Sequence, residues 1–487
     1  MTATTASAKE LWERPWIEVR SPHFVIVSAI PKGVTIDLAR DLECFREAVQ
    51  IVTDVGHFDE RIPTKVYVLP QPVVELGFKR HTGGYFIPGM RANYAGVVQL
   101  PLGNVNNMLK HEYVHFIVHN DESKYPKWFD EGFAEVLSTM SARGKAIEYG
   151  EPMPERVARL PHGKWIPFAQ LLEIRDVFSL EGDQTAMFYA QSWLLVHYLM
   201  NARPERKLKT DVAEYLRLEE TGTSPSAAFE RAFGVPVSQL RDTLYRYLVR
   251  DLRVAHVSLE NALPEARVEV VPVSADAIAA QLALLLWYLD EFDEAKRYWT
   301  AAIALNPSNA LAFVGLGNLE RSAGRFAEAQ AHYEEALSLE PQNAYVELDY
   351  AEYFLDRALV ERQQGVNVAD YLIEARRHFA RSYKLDPNNP ETLAMNGLSH
   401  LRSGEFEKAL DSLVAAHEML PSQPRIQFLL AQAYLMSGNP DAAEPLLRSL
   451  VAWDHAGIAN EATKLLVQVA KAKTASDNVV PPAGDEN

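Results

Sequence analysis

The second half of the chain repeats itself at a fixed step. Pro307 and Pro341 lie 34 residues apart, as do Pro387 and Pro421, and the pairs Ala295 and Ala329, Ala375 and Ala409, and Ala409 and Ala443 keep the same interval. A period of 34, with a small residue where two helices must touch and a proline where a helix must stop, predicts two antiparallel helices per unit. One such unit cannot bury its apolar face alone. Neighbours must stack into a curved solenoid, each unit contacting only the next. The expected units are 276–309, 310–343, 344–389, 390–423 and 424–457. The third is longer by 12 residues, since Pro341 to Pro387 spans 46 rather than 34. The extra residues are expected to lengthen its helices and the turn between them, around Asp356 to Val368.

With the Gly-x-Phe turns at Gly324 and Gly404 and the small residues Ala302, Ala336 and Ala416, the array resembles tetratricopeptide repeats. That resemblance implies an all-α solenoid whose surface binds peptides or partner proteins. Charge narrows the partner. The chain carries a net −17, and residues 261–487 account for −14 of it, with 18 Lys and Arg against 32 Asp and Glu. A basic protein partner suits that surface, whereas nucleic acid and anionic membranes do not. Residues 458–470 are expected to cap the last repeat. Residues 471–487, with Pro481-Pro482 and an acidic end, read as a disordered tail.

At 487 residues the chain is too long for one core, and the first 260 residues have chemistry of their own. The stretch from Asn107 to Glu135 contains His-Glu-x-x-His as His111, Glu112 and His115, set in a helix-tolerant apolar run. Residues four apart share a helix face, so the two imidazoles can reach one metal ion. A catalytic zinc takes three protein ligands and leaves a position for water. A second predicted helix, opened by Pro126, carries Glu131 as the third ligand and Glu135 one turn further on, with a turn expected at Asn120 to Ser123. Glu112, beside a ligand, is the expected general base, and Glu135 the expected carboxylate for a histidine's other N–H. His119 reads as a helix-end residue suited to the dipole.

The pairing of HEYVH with WFDEGFAE resembles the gluzincin zinc metallopeptidases. Together with the later FYAQSWLLVHYL it is similar to the peptidase MA-like domains found beside tetratricopeptide repeats, over roughly residues 15–250. The resemblance implies zinc on His111, His115 and Glu131, with Glu112 catalytic. It also favours Tyr189 as the donor to the oxyanion, with His197 as the weaker alternative. The aminopeptidase branch has Gly-x-Met-Glu-Asn where this chain reads Tyr94-Ala95-Gly96-Val97-Val98, so an endopeptidase is expected. A second reading keeps the fold and the repeats but not the turnover: a peptidase-like scaffold working through protein interaction.

The expected fold is an α+β zincin-like domain over 1–260, a mixed sheet plus helices, followed by the repeat solenoid over 276–457. Residues 16–30 predict a hairpin broken at Ser21-Pro22, Val34 to Val55 a helix, and Lys65 to Leu69 a buried strand. Gly83 to Phe86 and Tyr94 to Leu100 predict two strands around a Pro-Gly turn, and Ala146 to Tyr149 another. Ala95 to Gln99 is the candidate edge for an extended peptide substrate. The single cysteine, Cys44, points to a reducing compartment. The first residues hold no apolar leader and no segment predicts a membrane span. A cytoplasmic protein is expected, or a periplasmic one if translation starts upstream.

Overall fold

The computed structural model describes residues 10–53, 62–69, 84–87, 89–98, 105–119, 125–203, 206–421, 423–452 and 456–477. After a 3-10 turn at Leu11–Glu13 come strands β1 (Trp16–Arg20) and β2 (Phe24–Ser28), helix α1 (Lys32–Thr53), and strands β3 (Thr64–Leu69), β4 (Gly84–Ile87) and β5 (Asn93–Val98). Helices α2 (Val105–His119) and α3 (Lys127–Ser138) follow, then strands β6 (Ser141–Arg143) and β7 (Ala146–Tyr149). Helices α4 (Pro154–Arg159), α5 (Phe168–Glu173), α6 (Asp183–Asn201), α7 (Leu208–Glu220), α8 (Pro225–Phe233) and α9 (Leu240–Arg250) complete this half. Strands β8 (Ala255–Ser258) and β9 (Glu269–Val273) lead into the repeats.

The main sheet is mixed, in the order β4-β5-β3-β2-β1-β9, with β3 parallel to both β2 and β5 and every other pairing antiparallel. Successive strand residues point to opposite faces, and here both faces are covered. Val66, Val68, Ala95 and Val97 pack with α1 and α2 residues. Tyr67, Leu69 and Tyr94 point the other way and pack with the first helices of the repeat array. Burial on both sides is why residues 65–69 read as one apolar run rather than an alternation. β7 also pairs with β6 and β8 in a separate three-stranded sheet.

Two expectations about the sheet change. Residues 95–98 belong to β5, which lies between β3 and β4, so among the described residues β4 is the edge on that side; Gln99 lies outside them. The expected turn at 120–123 lies outside them too. Residues 261–275, left between the two expected spans, supply β9, which pairs with β1 from Trp16 opposite Val273 to Arg20 opposite Glu269.

The array comprises α10 (Ala275–Tyr288), α11 (Phe292–Leu305), α12 (Ala310–Ser322), α13 (Phe326–Leu339), α14 (Ala344–Gln363), α15 (Ala369–Leu385), α16 (Pro390–Arg402), α17 (Phe406–Met419), α18 (Pro424–Met436) and α19 (Pro440–Ala452), closed by α20 (Ala456–Asp477). Its period has a local cause. Asn309, Asn343, Asn389 and Gln423, each two residues after a periodic proline, cap the next helix by accepting from its first free N–H groups. Gly324 and Gly404 close their turns at φ +73° and +74°, where a Cβ would strain the backbone. The third repeat spends its extra length on α14 and α15, of 20 and 17 residues.

The expected tail begins too early, because α20 continues to Asp477. Lys473 Nζ lies 2.6 Å from both Asp441 Oδ1 and Glu444 Oε2 of α19 and ties that last stretch down. Residues 478–487 lie outside the described ones. Among the described residues no helix is long and apolar enough to cross a membrane.

Candidate metal centre

Helix α2 is fixed from its far side. Tyr113 is fully buried, with its ring 5.0 Å from Phe24 and 6.5 Å from Phe45. Lys110 Nζ, also buried, donates to Met140 O at 3.0 Å and lies 2.8 Å from Asp41 Oδ2. Those anchors leave His111 and His115 to face α3. Helix α3 follows Pro126, whose carbonyl accepts from Phe129 and Asp130. It is held by Trp128, which is buried edge-on to Tyr215, Phe229 and Phe233. Removing a buried aromatic of this kind costs about 3–5 kcal/mol. The opposite side of α3 therefore meets α2 in one orientation.

That orientation brings His111, His115 and Glu131 together. Their facing atoms form a near-equilateral triangle: His111 Nε2 to His115 Nε2 is 3.2 Å, and Glu131 Oε2 is 3.4 Å from the first and 3.5 Å from the second. Ligands about 2.0–2.1 Å from a tetrahedral zinc sit about 3.3–3.4 Å from one another. The three donors fit the ion without rearrangement.

The groups around the triangle differ in part from expectation. His115 Nδ1 is 2.8 Å from Asp130 Oδ1, and Lys127 Nζ lies 3.3 Å from the other carboxylate oxygen. Asp130 is thus the carboxylate that fixes the His115 ring, a residue that motif reading passed over. Glu135 is 3.7 Å from His111 Nδ1, beyond hydrogen-bond range, and both its oxygens accept from Arg156 at 2.8 Å. Arg156 comes from α4, with no signal in the local sequence. Burial opposes the charged form of His115, but Asp130 and Glu131 outweigh it and hold the imidazole well above its usual range. Burial would likewise raise Glu131, yet His115 and His111 together pull it below the ordinary carboxylate range.

Tyr189 lies on α6, half-buried, with the Arg156 guanidinium 5.5 Å from its ring centroid. Burial, then the charges of Glu131, Glu135 and Glu112, pushes its phenol up. As a phenol it is a protonated donor at neutral pH, within electrostatic reach of Glu131, Glu135 and Glu112. His197 is a core residue instead. Its Nε2 donates to Gly150 O at 2.8 Å and its Nδ1 accepts from the Tyr247 hydroxyl at 2.8 Å, leaving no nitrogen for an oxyanion. The side chain of His119 is not among those described; α2 ends at that residue.

Tetratricopeptide-repeat family models match residues 281–344, 316–365 and 400–465. The chain is 27% identical over 176 residues to the protein CTR9 homolog of Arabidopsis thaliana, which covers 34% of this chain and 15% of that relative. It thus spans about 15% of the length of the curated relative it matches. Among solved structures, a thermophilic TPR protein of Thermus thermophilus, TTC0263, is 22% identical, covering 41% of this chain and 99% of its own at a TM-score of 0.34. YrrB, a TPR protein with an unusual peptide-binding site, is 20% identical over 38% of this chain and 90% of its own, at 0.28. Yeast Tom70 is 14% identical over 61% and 62%, at 0.34. The carboxy-terminal half of this chain is a tetratricopeptide-repeat solenoid, the architecture of protein-interaction modules.

Proposed function

We infer that the amino-terminal half is a zinc-dependent peptidase of the gluzincin type and that the repeats bring it protein substrates or partners. The observation that supports this most is the triangle of His111, His115 and Glu131, with Glu112 one residue from a ligand on the same helix. When bound, zinc supplies a Lewis acid and makes its water more acidic. The residues would divide the remaining work. His111, His115 and Glu131 hold the ion, and Asp130 accepts from His115 Nδ1–H, which keeps the lone pair of Nε2 for the metal. The Glu112 carboxylate takes the proton of the attacking water and hands it to the leaving amine. Tyr189, protonated and beside the carboxylates, donates to the oxyanion that develops on the scissile carbonyl.

The test is metal content and turnover together. Glu112→Gln is expected to keep roughly one zinc per chain and to lose hydrolysis of an unfolded fluorescent protein substrate by about 10²–10⁴-fold. Glu131→Ala is expected to lose the zinc. A Glu131→Ala chain that kept full zinc would remove that residue from the ligand set.

The matches with known families fall on the repeats, and that favours a second reading: a scaffold whose working part is the solenoid. Native chain that holds zinc yet cleaves no protein or peptide substrate would move the conclusion there.

A further inference from the structure

The first helices of the repeats, α12, α14, α16 and α18, pack against one another in turn and carry a cluster of charges in which Asp349, Glu352 and Glu391 are buried. Asp349, Glu352 and Asp356 come from α14 and Glu391 from α16, with Arg321, Arg402 and Arg425 as the array's own cations among them. Arg321 reaches Glu352 at 3.0 Å and Asp356 at 3.6 Å. Glu352 Oε1, buried, accepts no hydrogen bond among the described residues.

The fourth cation comes from outside the array. Arg91, in the turn joining β4 to β5, donates from Nη1 to Asp349 Oδ2 at 2.7 Å and from Nε to Glu391 Oε2, while its guanidinium lies 5.0 Å from the Tyr345 ring centroid. Asn318 Nδ2 donates to the other oxygen of Asp349 at 3.1 Å. Met90, beside Arg91, is buried in the apolar cluster that includes Val314, Tyr350 and Phe354. The turn therefore sits on the repeats as a short peptide would, with one arginine and one long apolar side chain inserted. It is not what joins the two halves, since the sheet is covered separately by α10 and α11 through Tyr67, Leu69 and Tyr94.

We propose that this slot is an arginine-recognition site of the repeat module, occupied in cis by Arg91, and that a protein partner presenting an arginine next to a long apolar residue binds by displacing the β4–β5 turn. The net charge of −14 carried by residues 261–487 complements such a partner. The apolar contact with α10 lets the turn leave without separating the halves. Release reaches the metal helix, because β4 is an edge strand among the described residues and its Phe86 lies 5.3 Å from Phe116 of α2. The recognition step does not depend on the zinc chemistry.

The probe is a fluorescent peptide of residues 86–95 of this chain, titrated by anisotropy against the full-length native protein and its Arg91→Glu variant. The variant, whose own turn is repelled from the carboxylates, is expected to bind the peptide at least about tenfold more tightly than the native chain, the equivalent of about 1.4 kcal/mol. A peptide carrying Arg91→Ala is expected to lose that gain, as is the variant with Asp349→Asn added. Equal affinity of native and variant chains, or indifference to the peptide's arginine, would reduce Arg91 to a structural tie and overturn the proposal. If Arg91→Glu does not fold, hydrogen exchange decides it on the native chain. Saturating peptide is expected to speed exchange of the β5 amides, and unchanged exchange would overturn the proposal equally.

Discussion

A ligand histidine needs its second nitrogen held, or the ring turns and the lone pair leaves the metal. In the proposed zinc site Asp130 would do this for His115, whose Nδ1 it meets at 2.8 Å from a position that is itself 3% exposed. Asp130→Asn keeps the shape but removes the charge that strengthens the bond, and it is expected to weaken zinc binding by about 10–100-fold in competition with a chelator. Glu135→Gln should weaken it much less, because the oxygens of Glu135 are taken up by Arg156. A Glu135 effect equal to that of Asp130 would reverse the assignment. The contrast also marks what the sequence makes legible. His111, His115 and Glu131 follow from helical spacing and a downstream carboxylate. Adjacent residues such as Asp130 and Glu131 lie about 100° apart around a helix, and it is tertiary packing, the burial of Trp128 included, that sets which way each turns. The partners of His197, Tyr247 and Gly150, come from elements far away in the chain, and no local pattern encodes them.

At the scale of elements, the site depends on how closely α3 approaches α6, the helix that carries Tyr189. Gly132, inside the Glu-Gly-x-Ala-Glu stretch, allows that approach: a Cβ there would lie 2.4 Å from Ser192 O and 2.7 Å from a Val196 methyl carbon. The first of these atoms is backbone and cannot rotate away. Gly132→Ala is therefore expected to destabilise the chain by about 1–3 kcal/mol, read as a lower urea midpoint at unchanged slope. By pushing α3 away from α6 it should also lower zinc affinity. Unchanged stability would mean that the two helices separate freely and that their spacing does not define the site. The repeats were open to sequence reading for the opposite reason. Their caps at Asn309, Asn343 and Asn389 and their turn glycines act within a few residues, so the period is written locally. The continuation of α20 to Asp477 rests on Lys473 meeting Asp441 and Glu444 of α19, a contact outside any local window.

At the scale of the molecule, motif and period divide the chain between 260 and 276, but the packing does not break there. β9, from the segment between, forms the edge beside β1, and α10 covers the sheet face carrying Trp16, Tyr67 and Tyr94. Both sheet faces are apolar because both are covered, and a strand buried on two sides does not reveal in its sequence which elements cover it. The first repeat is thus at once the start of the solenoid and the second layer over the mixed sheet. A chain ending at residue 274 would keep every residue of the metal triangle and every strand of the sheet, yet expose that aromatic face as one contiguous apolar patch. It is expected to elute as aggregate in size-exclusion chromatography and to bind a hydrophobic dye. A chain ending at residue 322 retains α10, α11 and α12, whose Ala312, Leu316 and Leu319 belong to the same cluster. It is expected to elute as a monomer with one cooperative thermal transition. If the shorter chain were also monomeric and melted cooperatively at the same temperature, the sheet would be stable without its cover, and the repeats would be an appendage rather than a layer of the fold.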